Sequence, residues 1–457
     1  MAKSGTWRAA VLLGAVWAVL VAAAPAAKAV PVDQEVAVDE SPSPIADEGR
    51  TASTPPGPEG VGVPGALDDT FGGDGQVELN PTAGDDYARD VALQQDGRIV
   101  TAGRHGRFGG QFGIARFLAD GSPDPTFSGN GWTSTNFGPD YDLAYAVAVQ
   151  PDGKIVAAGY AAPGGFALAR YQTNGALDPT FSGDGKVVTH LPAGFEFAAG
   201  LAIQPDGKLV LVGGIGGHGG QFAILRYRSN GTLDPTFSGN GWAVTNITGG
   251  DDWAWDVALQ PDGRIVAGGI ANGGRDDSNF QPVVMRYNPN GSVDTTFSGD
   301  GRIIPRLSQS SVVTAVQIQP DGGIVLAGQL GRDTTTAFAL WRLTSGGALD
   351  SQFSQDGKMV YDFGSGRNWA ADVALQPDGG IVAVGTGPGG RGQFAAIRLL
   401  SNGDLDGTFG TGGTVRTNVT AEFDVAFGVA LQPDGMIVAA GGSTGAAGRV
   451  ALVRYSG

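Results

Sequence analysis

The phrase "LDPTFSGDG" at Leu177–Gly185 recurs as "LDDTFGGDG" from 67, "PDPTFSGNG" from 123, "LDPTFSGNG" from 233 and "VDTTFSGDG" from 293. Looser copies stand at 349 ("LDSQFSQDG") and 405 ("LDGTFGTGG"). A chain that repeats itself in this way builds a series of like units, each burying its apolar face against the next. A second signpost keeps the same rhythm: "QQDG" at 94, then "QPDG" at 150, 204, 260, 319, 376 and 432, spaced 54 to 59 residues apart.

Each of the seven units has one plan, seen in "DVALQPDGRIVAGG" from Asp256 to Gly269. An apolar run ends at Gln, a turn follows in which Pro presets the first central position, and a second apolar run returns. A Gly-rich loop leads to a third run: "FGIARF" at 112, "FALARY" at 166, "FAILRY" at 222, "VVMRY" at 283, "FALWRL" at 338, "FAAIRL" at 394 and "VALVRY" at 450. The repeated phrase then ends in a turn signal and opens a fourth run such as "KVVTH" at 186. Four short strands per unit, seven times over, predict an all-β, seven-bladed β-propeller of four-stranded antiparallel blades. Gly (78 residues) and Pro (26) punctuate regular apolar runs, so they mark turns rather than low complexity.

Chain order sharpens the prediction. The first unit enters at a fourth strand, Gln76–Leu79, and the seventh stops after its third strand at Tyr455, so the N-terminal strand must complete the last blade. Each third run carries one Arg in phase (Arg116, Arg170, Arg226, Arg286, Arg342, Arg398, Arg454). Eight residues after the first six comes an Asp (Asp124, Asp178, Asp234, Asp294, Asp350, Asp406). Arg454 has no Asp after it and Asp68 no Arg before it; a closed ring must bring them together. These residues read as ion pairs or turn anchors, and the Phe residues of the phrase, Phe71 to Phe409, as core plugs.

The unit "VALQPDGKIVxAG…FALARYxxNGxLDPTFSGDG" resembles the delta-60 repeat of bacterial secreted and surface proteins over essentially all of residues 66–457, and its hairpin is similar to that of NHL-type propellers. The resemblance implies the propeller fold. It implies no particular activity, because that family has no agreed biochemical function and no catalytic residues to carry over.

Residues 1–29 read as an export signal: Lys3 and Arg8, the apolar stretch Ala9–Ala24, and "AKA" at 27–29 before the expected cleavage. An uncleaved membrane anchor is the alternative; cleavage leaves no membrane span. Residues 30–65, acidic and Pro-rich, read as a disordered linker, and 66–457 as the propeller. With no cysteine, stability outside the cell must come from packing and ring closure. Cleavage removes Lys3, Arg8 and Lys28 and no acid, taking the net charge from -16 to -19, which argues against nucleic acid or anionic lipid as partners. The expected product is a secreted, extracellular monomer.

Propeller ligands usually meet loops at the channel mouth. Eight residues before each Gln stand Asp86, Asp142, Glu196, Asp252, Ser311, Asn368 and Asp424; beside them lie Tyr87, Phe197, Trp253 and Trp369, with Tyr145 and Trp255 two positions further along. Aromatic faces stack on sugar C–H groups and carboxylates accept hydroxyl hydrogen bonds, so this row predicts a polysaccharide-binding rim. The plainer alternative is that the aromatics seal adjacent blades and the acids cap turns.

Four residues before each Gln, three Asp (Asp90, Asp256, Asp372) interrupt a row of Ala and Gly, and their oxygens suit a hard cation such as calcium; satisfying backbone donors is the plainer role. Three scattered histidines, His105, His190 and His218, assemble no zinc site or triad, and His105 and His218 read as solvated loop residues. Asymmetry is concentrated in the loop at 269–281. Two functions follow. The first is a non-enzymatic recognition or scaffold module that binds a polysaccharide or surface protein through one face. The second is a metal-assisted hydrolase or lyase using the mouth carboxylates.

Overall fold

In a computed structural model, residues 62–457 are described apart from 83, 107–109, 193, 217–218, 273–279, 306–309, 333–334, 365, 389–391, 421–422 and 444–447. The expected signal segment, most of the linker, His218 and the centre of the 269–281 loop lie outside the described residues. The described residues form seven four-stranded antiparallel sheets. Six are consecutive meanders. The seventh joins Gln76–Leu79 to Val450–Tyr455, with Gln76 opposite Val453 and Leu79 opposite Val450, so the N-terminal strand completes the last blade as expected.

The innermost strands are Tyr87–Leu93, Asp142–Val149, Glu196–Ile203, Asp252–Leu259, Ser311–Ile318, Trp369–Leu375 and Asp424–Leu431, one for each of blades 1 to 7. The second and third strands of each blade are buried on both faces by neighbouring blades, which is why they read as nearly continuous apolar runs. The "QPDG" and phrase turns share one face of the ring, called here the lower face, and the loops entering each innermost strand share the upper face.

The repeated phrase is the joint between blades. Arg170 Nε donates to Asp178 Oδ2 at 2.8 Å, Nη2 donates to Thr180 Oγ1, and Nη1 donates across the joint to the Ser229 carbonyl of blade 3. The guanidinium lies 4.7 Å from the centre of the Phe181 ring, which is fully buried. Burial opposes ionisation of Asp178, but bonds from Thr180 and the charges of Arg170 and Lys154 hold its carboxyl below the usual range.

Phe181 abuts Gly231 of the next blade, where φ is +88° and an added Cβ would stand 3.1 Å from the ring. The Ser that follows each such Phe (Ser128, Ser182, Ser238, Ser298, Ser354) sits left-handed, at φ of 49–54°, and donates its N–H to the next blade's turn, as Ser182 does to Asn230. Gly72 and Gly410 occupy the same position in the other two copies. The phrase therefore recurs because each joint needs the same Arg–Asp pair, Phe plug and left-handed turn.

Candidate functional site

The entering loop of each blade is folded over the first residue of its innermost strand. Asp252, fully buried, accepts N–H bonds from Ile247 (2.7 Å) and Thr248 (2.8 Å) and a hydroxyl bond from Thr248. Asp424 repeats this with Val419 and Thr420, and Asp86 binds the Thr82 N–H and hydroxyl and the Gly106 N–H. Asp142 accepts from Phe137, and Glu196 from Leu191, with His190 Nδ1 3.6 Å from its carboxylate. Burial raises the pKa of all five acids, and the backbone bonds pull the other way. The row expected at the rim thus clamps loops with its carboxylates turned inward. Of its aromatic neighbours, Phe197, Trp253 and Trp369 are at most 3% exposed, and Trp253 packs on Gly214 of blade 3; only Tyr87 is half-buried.

Two or three residues into each innermost strand the register slips by one, between Ala88 and Asp90, Ala144 and Ala146, Ala198 and Gly200, Ala254 and Asp256, Val313 and Ala315, Ala370 and Asp372, and Ala426 and Gly428. A bulge re-aims the extra side chain. The seven extra residues are Arg89, Tyr145, Ala199, Trp255, Thr314, Ala371 and Phe427, and all but Ala199 are half-buried at the upper channel mouth.

The bulge ring is lopsided. The Arg89 guanidinium lies 4.3 Å from the Phe427 ring centre, 5.5 Å from Tyr145 and 5.4 Å from Tyr87. Trp255 stands 5.8 Å from Phe197 and 6.5 Å, edge-on, from Trp253. Tyr145 links the two groups at 6.3 Å from Phe197. Tyr141 joins the blade 2 side under the Arg104 guanidinium (4.9 Å). Burial raises its hydroxyl pKa, and the neighbouring Tyr87 and Tyr145 hydroxyls add to the shift. The indole N–H groups of Trp253 and Trp255 find no acceptor among the described residues. Across the mouth, Thr314 is spent on the Ala327 and Ala370 carbonyls and Ala371 is small, so the large side chains of the bulge ring come from blades 7, 1, 2 and 4.

One step deeper stand Asp90, Asp256 and Asp372. Each uses both oxygens to tie its own blade to the next: Asp90 accepts from Val91 and Val147 (both 2.7 Å), Asp256 from Val257 and Val316 (both 2.7 Å), and Asp372 from Val373 (2.7 Å) and Val429 (2.8 Å). The axis is crowded: an added Cβ on Gly200 would stand 2.9 Å from Asp256 Cα. The three residues are half-buried along the channel, and burial dominates their titration. It pushes Asp90 up to about 7 and Asp256 to about 6, and the negative charges of Asp90 and Asp256 help hold Asp372 well above the usual range. Among the described residues no group of three acids or histidines stands close enough to hold a metal ion.

His105 is 3% exposed rather than solvated. It ends a strand against Trp132, with Nδ1 3.0 Å from Ser134 Oγ, and burial takes its pKa down to about 3. Arg89, Phe427 and Tyr141 are mouth residues that sequence reasoning passed over. The first two lie in the same column as Tyr145 and Trp255, where large side chains interrupt an Ala-rich strand.

Six segments, 94–127, 150–181, 204–237, 260–297, 319–353 and 376–409, match the family model described as "Domain of unknown function (DUF5122) beta-propeller". Among curated proteins, none matches the chain's sequence. Solved structures share the fold. They include a polysaccharide lyase, an ulvan lyase bound to -[GlcA(1-4)Rha3S]- (9% identity, TM-score 0.50, covering 82% of this chain and 95% of that one). Another is a catalytically inactive virginiamycin B lyase from Staphylococcus aureus with quinupristin (11%, TM-score 0.47, 83% and 98%). A third is YCF48 from Cyanidioschyzon merolae (14%, TM-score 0.46, 83% and 98%). At these identities the likeness is one of fold.

Proposed function

From six segments that match the DUF5122 β-propeller model, a domain of unknown function, and from the geometry of the ring, we propose that this chain is an exported recognition module that binds a polysaccharide or a surface protein at the upper channel mouth. The observation that carries the reading is the lopsided bulge ring: Arg89, Tyr145, Trp255 and Phe427 gather aromatic faces, a guanidinium and a phenol on one side of an otherwise repetitive ring. Half-buried aromatic faces stack on sugar rings or on peptide side chains, and the cation and hydroxyls supply directional bonds. Export is supported by the charged and apolar residues of 1–29. The carboxylates that a metal-assisted hydrolase or lyase would need are engaged by backbone N–H groups, which favours binding over that alternative.

The test is retention of the purified chain on a panel of immobilised polysaccharides and surface-protein extracts. Trp255→Ala with Tyr145→Ala should cut retention at least tenfold with little change in melting temperature. Retention unchanged in the double variant would overturn the mouth as the site. Trp253 and Trp369 are poor probes, because their burial between blades confounds binding with stability.

A further inference from the structure

On the lower face, one cation recurs in the turn after "QPDG". Arg98 Nε lies 2.8 Å from Asp124 Oδ2 and its guanidinium also meets Asp96. Lys154 Nζ is 3.1 Å from Asp152 and 3.4 Å from Asp178, Lys208 Nζ 2.6 Å from Asp206 and 3.8 Å from Asp234. Arg264 Nε is 2.9 Å from Asp294 and its guanidinium also meets Asp262. Blades 1 to 4 thus each place one basic side chain between a turn Asp and the Asp of the repeated phrase. Blades 5 and 6 have Gly323 and Gly380 there, while keeping both acids: Asp321 with Asp350, and Asp378 with Asp406.

The loss is visible at the carboxylates. The side chains of Asp124, Asp178, Asp234 and Asp294 are 0–3% exposed, whereas those of Asp350 and Asp406 are 22% and 16% exposed. Gln319, 8% exposed, has an Oε1 without a hydrogen-bond partner, and that oxygen stands 3.0 Å from where a Cβ on residue 323 would be. The Oε1 atoms of Gln150 and Gln260 are unpartnered too, in blades where Lys154 and Arg264 pair with the phrase carboxylates Asp178 and Asp294. In blade 5 a buried acceptor and two carboxylates, Asp350 paired with Arg342 and Asp321 with the Gly323 N–H, face a place that holds no second cation. Beside these two slots the lower channel mouth opens into a hollow of about 470 Å³ lined by Ile318, Val373, Leu375, Val429 and Leu431.

We infer that the lower face over blades 5 and 6 docks a basic segment of a partner protein. Two lysine or arginine side chains of the segment enter the slots at Gly323 and Gly380, and an apolar side chain settles in the hollow. The four filled slots show that the pocket accepts either cation, and charge complementarity with an apolar neighbour is what a peptide site requires. The site is on the opposite face from the upper mouth and does not depend on it.

The experiment uses a panel of labelled peptides with two arginines set one to four residues apart around a leucine, each with a glutamine counterpart. They are titrated by fluorescence anisotropy against the purified chain in 0.15 M salt. Gly323→Lys with Gly380→Lys fills both slots from within. Neither glycine has a left-handed φ, and the Cβ contacts nearest each are mobile side-chain ends, so the variant should fold. The expected result is arginine-dependent binding weakened at least tenfold in the double variant, with each single variant intermediate. Three results would overturn the inference: no arginine peptide binding better than its glutamine counterpart, the double variant binding as tightly as the parent, or complete displacement by equimolar spermine, which would assign the slots to a small polyamine.

Discussion

Arg454 Nε lies 2.7 Å from Asp68 Oδ2, although 386 residues separate them in the chain. The contact repeats the six pairs made eight residues apart at 2.7–2.9 Å. The copy extends further. Arg454 reaches the Ala119 carbonyl of blade 1 and covers the Phe71 ring at 4.6 Å, and Gly410 donates to the Pro64 carbonyl at 2.8 Å as Ser182 does to Asn230. Residues 63–79 therefore supply everything that an eighth repeat would have supplied, and the ring has seven like joints.

Deleting residues 63–79 should leave Arg454 without its carboxylate and Val450–Tyr455 as an open edge. Loss of a buried partner alone costs about 3–5 kcal/mol, and an open edge invites pairing between chains. Urea unfolding with light scattering should report a destabilised, self-associating chain.

Gly231→Ala and Gly239→Ala separate clash from backbone strain. Both positions are left-handed, at φ +88° and +81°, but an added Cβ meets the Phe181 ring only at Gly231; at Gly239 nothing lies within 4 Å. Each should lose about 1 kcal/mol from the backbone term, and Gly231→Ala a further ~1–3 kcal/mol from overpacking. Urea midpoints at constant m-value would show the difference.

Stability should fall as pH rises from about 4 to about 7. Asp90, Asp256 and Asp372 have folded pKa values raised above that of an unfolded Asp, so the folded chain holds more protons across this window. The stability they contribute is complete below the unfolded value and is lost as pH rises through about 6 for Asp256 and about 7 for Asp90, with Asp372 acting in the same direction. Asp124, Asp178, Asp234 and Asp294, held low by bonds from the following Thr and by their Arg partners against burial, act oppositely: their contribution is present above the unfolded value and is lost in acid. Thermal melts across pH should show the fall, and Asp372→Asn should make it shallower.

Filling a slot should also stabilise. Gly380→Lys removes backbone freedom from the unfolded chain and restores an ion pair, worth together about 0.5–1.5 kcal/mol. A raised melting temperature that reverts toward the parent's in Gly380→Gln would assign part of the gain to the charge.

The scaffold was readable because turn chemistry and phase are local: Gln-Pro-Asp-Gly marks the hairpin wherever it occurs, and the unpaired Arg454 and Asp68 announce the closure. The site was less so. Asp252 looks like a rim acid by residue type, and only the loop Ile247–Asp252 folding back on it decides that it is buried. The bulges arise from pairing between strands, so Arg89 and Phe427 gain their place at the mouth from a register slip that spacing within one strand does not reveal. The slots at Gly323 and Gly380 were open to alignment of the repeats, but what they lack is defined by contacts in the other blades.

A double-mutant cycle on Asp68 and Arg454, run beside one on Asp178 and Arg170, tests the closed ring most directly. Alanine at each position singly and together, measured by urea unfolding, gives the two coupling energies. The account predicts couplings equal within about 0.5 kcal/mol, the usual limit of additivity, because the closing joint copies the internal one. A coupling near zero for Asp68 and Arg454, with a substantial one for Asp178 and Arg170, would contradict it.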